Sequence, residues 1–191
     1  MSVTNGKFSG VEHFDSKADV EKYIRSIGIP ATFFLPGFFM SNIPGSMLMP
    51  NPQSEEHEFV LNGAFPKSTH IPLLDAAGDT GKIVKAILLN REKLLGKRVL
   101  AATDYYTPDD IIKAFQAAYP KAGKGAHFNK LSEDVYKGIL GSVGMPKKAQ
   151  DELYENMAFM DEFGYYGKAS LDESHAVSIP SLKHERSRRG Y

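Results

Sequence analysis

Lys17, at the end of the segment HFDSK (13–17), is the side chain whose type and place carry the most chemistry. Ser16 with Asp19 makes an S-x-x-D start ahead of Val20, Tyr23, Ile24 and Ile27, and that spacing predicts a helix. Lys17 then falls in the first helical turn, where the dipole disfavours a cation by roughly a few tenths of a kcal/mol. Stability alone would place Glu there. Over the C-terminal ends of strands in an α/β sheet, an ammonium hydrogen-bonds a ribose or polarises a carbonyl. The plainer reading is a solvated surface lysine. His13 is a candidate acid/base partner, but it precedes the expected helix start, so an i,i+4 relation to Lys17 is not assumed. For His13 a structural role, satisfied by hydrogen bonds, is the plainer reading.

A second candidate follows the helix. Gly28 and Pro30 end it, and ATFFL (31–35) is an apolar run of strand length closed by Pro36-Gly37. Pro36, Gly37, Phe38 and Phe39 then stand at the C-terminal end of a strand, where a tight turn and two rings pack a flat ligand ring. Alternatively Phe38 and Phe39 close the core under the next loop.

Several chemistries are ruled out. With no cysteine there is no disulfide framework, thiolate zinc site or cysteine nucleophile. The six histidines form no H-x3-H or H-E-x-x-H pair. No G-x-S-x-G elbow, P-loop or G-x-G-x-x-G is present, and the glycine pair Gly123 and Gly125 precedes an expected strand rather than a helix. Lys+Arg and Asp+Glu both total 23, so no net field attracts nucleic acid or an anionic membrane. No apolar run reaches membrane-span length and MSVTNGKFSG lacks a signal-peptide core, so a cytosolic or nuclear protein is expected.

The elements that must position these residues alternate. EFVLN (58–62), HIPLLD (70–75), KRVLAA (97–102) and HFNKL (127–131) read as strands. Asp79 is the expected cap of a helix facing inward through Ile83, Val84, Ile87 and Leu88. Thr107, Pro108 and Asp110 give a T-P-x-D start before Ile111, Ile112 and Phe115. Ser132 caps a helix with Val135, Ile139 and Leu140, and 146–163 form a last one with Leu153, Met157, Met160 and Phe163 inward. A partly parallel α/β sheet follows from the alternation. One unit over 1–170 and a flexible tail over 171–191, ending KHERSRRGY, is the expected organisation.

The segments HFDSKADVEKYIRSIGIPATFFLPGFFMSN (13–42), HIPLLDAAGDTGKIVKAIL (70–88) and YYTPDDIIKAF (105–115) together resemble the NmrA-like family of atypical short-chain dehydrogenase/reductases, over roughly residues 5–165. The resemblance implies the C-terminal portion of a Rossmann-type fold with a mostly helical substrate or interaction region. It implies NADP(H) as cofactor and a regulatory or redox-sensor role, or alternatively an isoflavone-reductase-like NADP-dependent oxidoreductase of which this chain is a truncated form. By position Lys17 matches the family's active-site-type lysine. Pro36, Gly37, Phe38, Phe39 and Asn42 match the segment beside the nicotinamide. His13 stands where short-chain reductases keep the tyrosine four residues before the lysine, and Asp75 and Asp79 match a structural aspartate-rich turn. The family's glycine-rich phosphate loop has no counterpart, so tight NADP(H) binding by this chain alone is not expected. The strands before the matched segment are also without counterpart. Strand 31–35 should therefore leave a bare edge, with Phe33 and Leu35 exposed, for a second copy, a complementary fragment or a regulatory protein partner.

Overall fold

The structure is a computed structural model and describes residues 7, 8, 10–52, 54 and 58–178. Its first helix, α1 (Glu12–Ser26), begins ahead of Ser16, and its N-cap Val11 makes no side-chain cap hydrogen bond. The cap is tertiary. A Glu155 carboxylate oxygen accepts from the Gly10 N–H at 2.6 Å and a Glu152 carboxylate oxygen from the His13 N–H at 3.0 Å. Unpaired N–H groups and the positive helix end both favour carboxylates, and neither glutamate is near in sequence. Lys17 therefore lies in the second turn, and the expected first-turn placement is corrected. Gly28, at φ +70°, turns the chain out of the helix.

The chain continues through β1 (Phe33–Pro36), β2 (Phe38–Phe39), a 3-10 turn (Met40–Asn42), β3 (Leu48–Pro50), β4 (Phe59–Gly63) and β5 (Ile71–Leu74). Then come α2 (Ala76–Leu89), α3 (Arg91–Leu94), β6 (Arg98–Ala101), β7 (Asp104–Tyr106) and α4 (Pro108–Ala118). The last described elements are β8 (His127–Lys130), α5 (Glu133–Ser142), α6 (Lys147–Glu162) and α7 (Asp172–Ser178). The strands form small sheets, β1-β6, β2-β5-β7 and β3-β4-β8. β1–β6, β2–β5 and β4–β8 pair parallel, while β3–β4 and β5–β7 pair antiparallel.

Several helix starts follow the local code. Thr107 and Asp110 form a complete capping box with Pro108 inside α4, and the Ser132 hydroxyl accepts from the Val135 N–H. For α2 the cap is Asp75, accepting from the Gly78 N–H at 2.9 Å, whereas Asp79 sits in the first turn and bonds Lys82. That corrects the assignment of the cap to Asp79.

Two cores result. One joins β2-β5-β7 and β3-β4-β8 to α4 and α6 through Leu61, Phe65, Ile71, Ile112 and Met160. The other places Ile83 of α2 against Leu74, Leu94, Val99 and Ala101. On the opposite face of β1-β6 lies α1, whose buried Glu21 reaches Arg98 at 2.8 and 2.9 Å while Arg25 stacks 4.4 Å over the Phe33 ring. The pair β1-β6 is thus a thin layer between helices.

Its two edges differ. On β6 the Ser174 hydroxyl of α7 accepts from the Leu100 N–H at 2.9 Å, and the His175 Nε2–H donates to the Ala102 carbonyl at 2.9 Å. Beside β1 no strand pairs among the described residues. The tail expected from 171 thus opens as a packed helix with Leu171 and Ser174 buried. Residues 179–191, including the expected basic end, lie outside the described residues.

Candidate functional site

The sheet β1-β6 ends at Gly37. Its N–H donates to the Ala101 carbonyl at 2.9 Å, and the next residue, Phe38, already pairs with Leu73 of β5. The chain changes sheets at this point, and the change explains the glycine. A Cβ there would stand 2.5 Å from the Pro72 carbonyl oxygen and 3.2 Å from the Ala102 methyl. Backbone closeness rather than a special φ disfavours every other residue.

Around this crossing the candidates separate. Gly37 is buried; Pro36 and Asn42 are exposed; Phe38 is half-buried and packs on the larger core; Phe39 is 39% exposed. Phe38 therefore closes the core, as the plainer reading held, and Phe39 is the ring available at the surface. The Asn42 carbonyl accepts from the Ser46 hydroxyl, and no side-chain bond of its amide is present among the described residues. One group here was not visible in the sequence. Thr103, directly after β6, gives its N–H to Leu73 at 2.6 Å, while its hydroxyl is buried without a partner. Its only signal was its place at a strand's C-terminal end.

Lys17 belongs to the same end of the molecule. Phe14, one turn before it, packs on Tyr165 at 5.2 Å; Tyr165 meets Tyr166 at 5.1 Å; and the Tyr166 hydroxyl donates to the Leu35 carbonyl at 2.8 Å. Burial pushes the Tyr166 phenol well above its usual range, and the neighbouring phenols Tyr165 and Tyr105 add to this. Tyr166 is thus a fixed hydrogen-bond donor, not a proton shuttle. Lys17 is exposed, and no ion pair or hydrogen bond links it to Pro36–Asn42 or to any other described residue. His13 lies inside α1, one turn before Lys17, and its ring Nδ1 is held by Glu152. Its structural reading holds, and the i,i+4 relation to Lys17, left unassumed from sequence, exists.

Helical geometry sets the direction in which Lys17 faces. Lys17 precedes Glu21 by four residues, so the two lie within about 40° of each other on the face of α1 from which Glu21 reaches β6. Among the described residues Lys17 makes no ion pair or hydrogen bond, the Phe39 ring is exposed, and the Thr103 hydroxyl is buried without a partner. The pyrophosphate end of a dinucleotide has no fit, because no strand, glycine loop and helix N-terminus come together among the described residues. Nor do three His, Asp or Glu gather in a metal-like group there. Among the described residues no helix is long and apolar enough to cross a membrane.

Comparison with known proteins places this geometry. A model described as the NmrA-like family matches residues 1–189. The nitrogen metabolite repression protein nmr of Neurospora crassa is 30% identical over 166 residues, which span 83% of this chain and 33% of that protein. NmrA, described as a negative transcriptional regulator, has a solved structure matching at TM-score 0.63 and 18% identity over 90% of this chain and 58% of its own. The same protein has been solved with NAD and with NADP. The NADPH-dependent quinone oxidoreductase QOR2 of Escherichia coli, solved with NADPH, matches at TM-score 0.63 and 20% identity over 96% of this chain and 62% of that one. The chain therefore spans about a third of the curated relative and under two thirds of the solved ones.

Proposed function

The chain belongs to the NmrA-like family, and on that premise we propose that it acts as a regulatory, redox-sensor-type protein whose NADP(H)-type pocket is only half present in this chain. The observation that carries the proposal is the asymmetry of the site. Lys17, Phe39, Asn42 and the Thr103 hydroxyl can meet a nicotinamide and its ribose, but nothing among the described residues cradles a pyrophosphate. His13, where a reductase would keep its proton-donating tyrosine, is tied to Glu152. The regulatory direction comes from the relatives, which are described as a nitrogen metabolite repression protein and a negative transcriptional regulator.

Calorimetric titration with NADPH and NADP+, on the chain and on Lys17→Ala, tests the proposal. The expected result is at most weak binding, diminished by Lys17→Ala, with no oxidation of NADPH in the presence of quinones or other carbonyl substrates. Micromolar or tighter binding together with substrate-dependent NADPH oxidation would overturn it. That outcome would favour the second reading, an NADP-dependent oxidoreductase of which this chain is one part. Lys17, without an ion pair among the described residues, is the feature that supports that alternative.

A further inference from the structure

We infer that the cleft between α4 and β8 binds a small organic anion, one with a flat apolar body and an anionic group. The inference does not depend on the cofactor reading, since none of Lys17, Phe39, Asn42 and Thr103 lines this cleft. Asp109, Ile112, Lys113 and Gln116, at i, i+3, i+4 and i+7 on one face of α4, form one wall. Ala126, His127 and Phe128 form the other, and Lys67 completes the lining. The cleft holds about 370 Å3, within the usual range of small-molecule sites. Its walls are fixed before any ligand arrives. The Gln116 Nε2–H donates across to the Ala126 carbonyl at 3.2 Å. The Ala126 N–H donates to the Gly123 carbonyl at 3.0 Å, and a Cβ on Gly123 would stand 2.7 Å from the Gln116 Cα, so the loop joining the walls is closely packed. Binding between such walls costs little ordering.

The lining decides which occupant fits. Ile112 and Ala126 are buried, and the half-buried Phe128 ring stacks on the buried Phe65 at 5.8 Å, so the floor is apolar and partly aromatic. Lys67 and Lys113 are exposed, and neither ammonium has an ion pair or hydrogen bond among the described residues. The His127 Nδ1–H donates to the Gly125 carbonyl at 3.1 Å, so in the charged ring the Nε2–H is a further donor. Asp109 is the one carboxylate in the lining; its neighbour Asp110 accepts from the Thr107 N–H at 3.0 Å. In a chain of zero formal net charge, two ammonium groups beside one carboxylate make a local positive excess. A cation is repelled there, a neutral ring covers the ammonium groups without pairing them, and a bare anion leaves the floor wet. A flat body with an anionic group answers both parts of the lining.

Titration of the full chain with 2-naphthoate, followed through amide chemical shifts, tests the inference. Neutral 2-naphthylmethanol supplies the ring without the charge, and inorganic phosphate the charge without the ring. Shifts should gather at Lys113, Gln116, His127 and Phe128, with naphthoate binding at least about tenfold more tightly than either control. Lys67→Gln and Lys113→Gln should each weaken it about three- to fivefold, and Asp109→Asn, which removes the like charge, should tighten it. All three positions are exposed, so the variants should keep the wild-type circular dichroism. Shifts that do not saturate by about 10 mM, equal affinity for a control, or indifference to both lysine substitutions would each overturn the inference. So would loss of naphthoate binding in Lys17→Ala, which would move the anion to the end of the molecule that holds Lys17. Failure here and failure of the cofactor reading are thereby told apart.

Discussion

Glu21 of α1 holds Arg98 of β6 through both carboxylate oxygens, at 2.9 and 2.8 Å from Nε, and accepts at the same time from Arg25 at 2.8 Å. Burial pushes the Glu21 carboxyl up, but the hydrogen bonds and charges of Arg98 and Arg25 outweigh it and hold the carboxyl below its ordinary value of 4.5. Because the folded value lies below the unfolded one, the stabilisation is complete above about pH 4.5 and fades as pH falls through the folded value. Glu21→Gln should therefore cost about 2 kcal/mol at pH 7, less than a fully buried pair because both arginines remain half-exposed. Urea midpoints measured from pH 7 to pH 3 should show that cost shrinking. A constant difference across this range would refute the assignment.

Gly37→Ala is the sharpest packing test. The added methyl would meet the Pro72 carbonyl oxygen at 2.5 Å, so the sheet crossing must shift, at a cost of about 2–3 kcal/mol. Gly28→Ala meets nothing within 4 Å and pays only for its φ of +70°, about 1 kcal/mol. Thermal melts of the two variants should rank them in that order.

Thr107→Ala removes the hydroxyl that accepts from the Asp110 N–H and should cost about 1 kcal/mol, with Thr107→Ser close to wild type. Comparable losses from both substitutions would mean that the threonine methyl, not the cap, supports α4.

How far the sequence announced this molecule depended on whether the cause was local. The capping box at Thr107, the Ser132 cap and the five longer strands rest on neighbours within a few residues, and all appear within a few residues of where their spacing places them. The start of α1 depends on Glu152 and Glu155, the closing of β6 on Ser174 and His175, and no short window contains those partners. The inward face expected of α2 holds only in part, since Ile83 is buried but Val84 and Leu88 are exposed. Val20, Tyr23 and Ile27 have helical apolar spacing, yet they are exposed, because spacing reports that a face seeks a partner and not that the partner is present. The bare surface expected on Phe33 and Leu35 therefore lies on the helices instead, while both strand residues are half-buried. In the candidate site, Phe39, Asn42 and Lys17 were singled out by position, and all three are exposed. The unpaired Thr103 hydroxyl was not, since one threonine after a strand resembles any other.

Ser174→Ala should be felt out of proportion to its size. It leaves the Leu100 N–H unpaired at the β6 edge, at a cost of about 1–3 kcal/mol, and amide exchange at Leu100 should quicken while exchange within α4 does not. Uniform acceleration throughout the chain would point to global destabilisation instead.

The hydroxyl that seals β6 also sets a delay. Ser174 follows Leu100 by 74 residues, so a ribosome adding about 5–20 residues each second leaves that edge uncovered for roughly 4–15 s after β6 is made. During that interval the edge of β6 is uncovered along with the side of β1 that has no paired strand among the described residues. Chaperone demand, and the risk of tangling between neighbouring chains on one message, should peak before α7 emerges and fall once it docks.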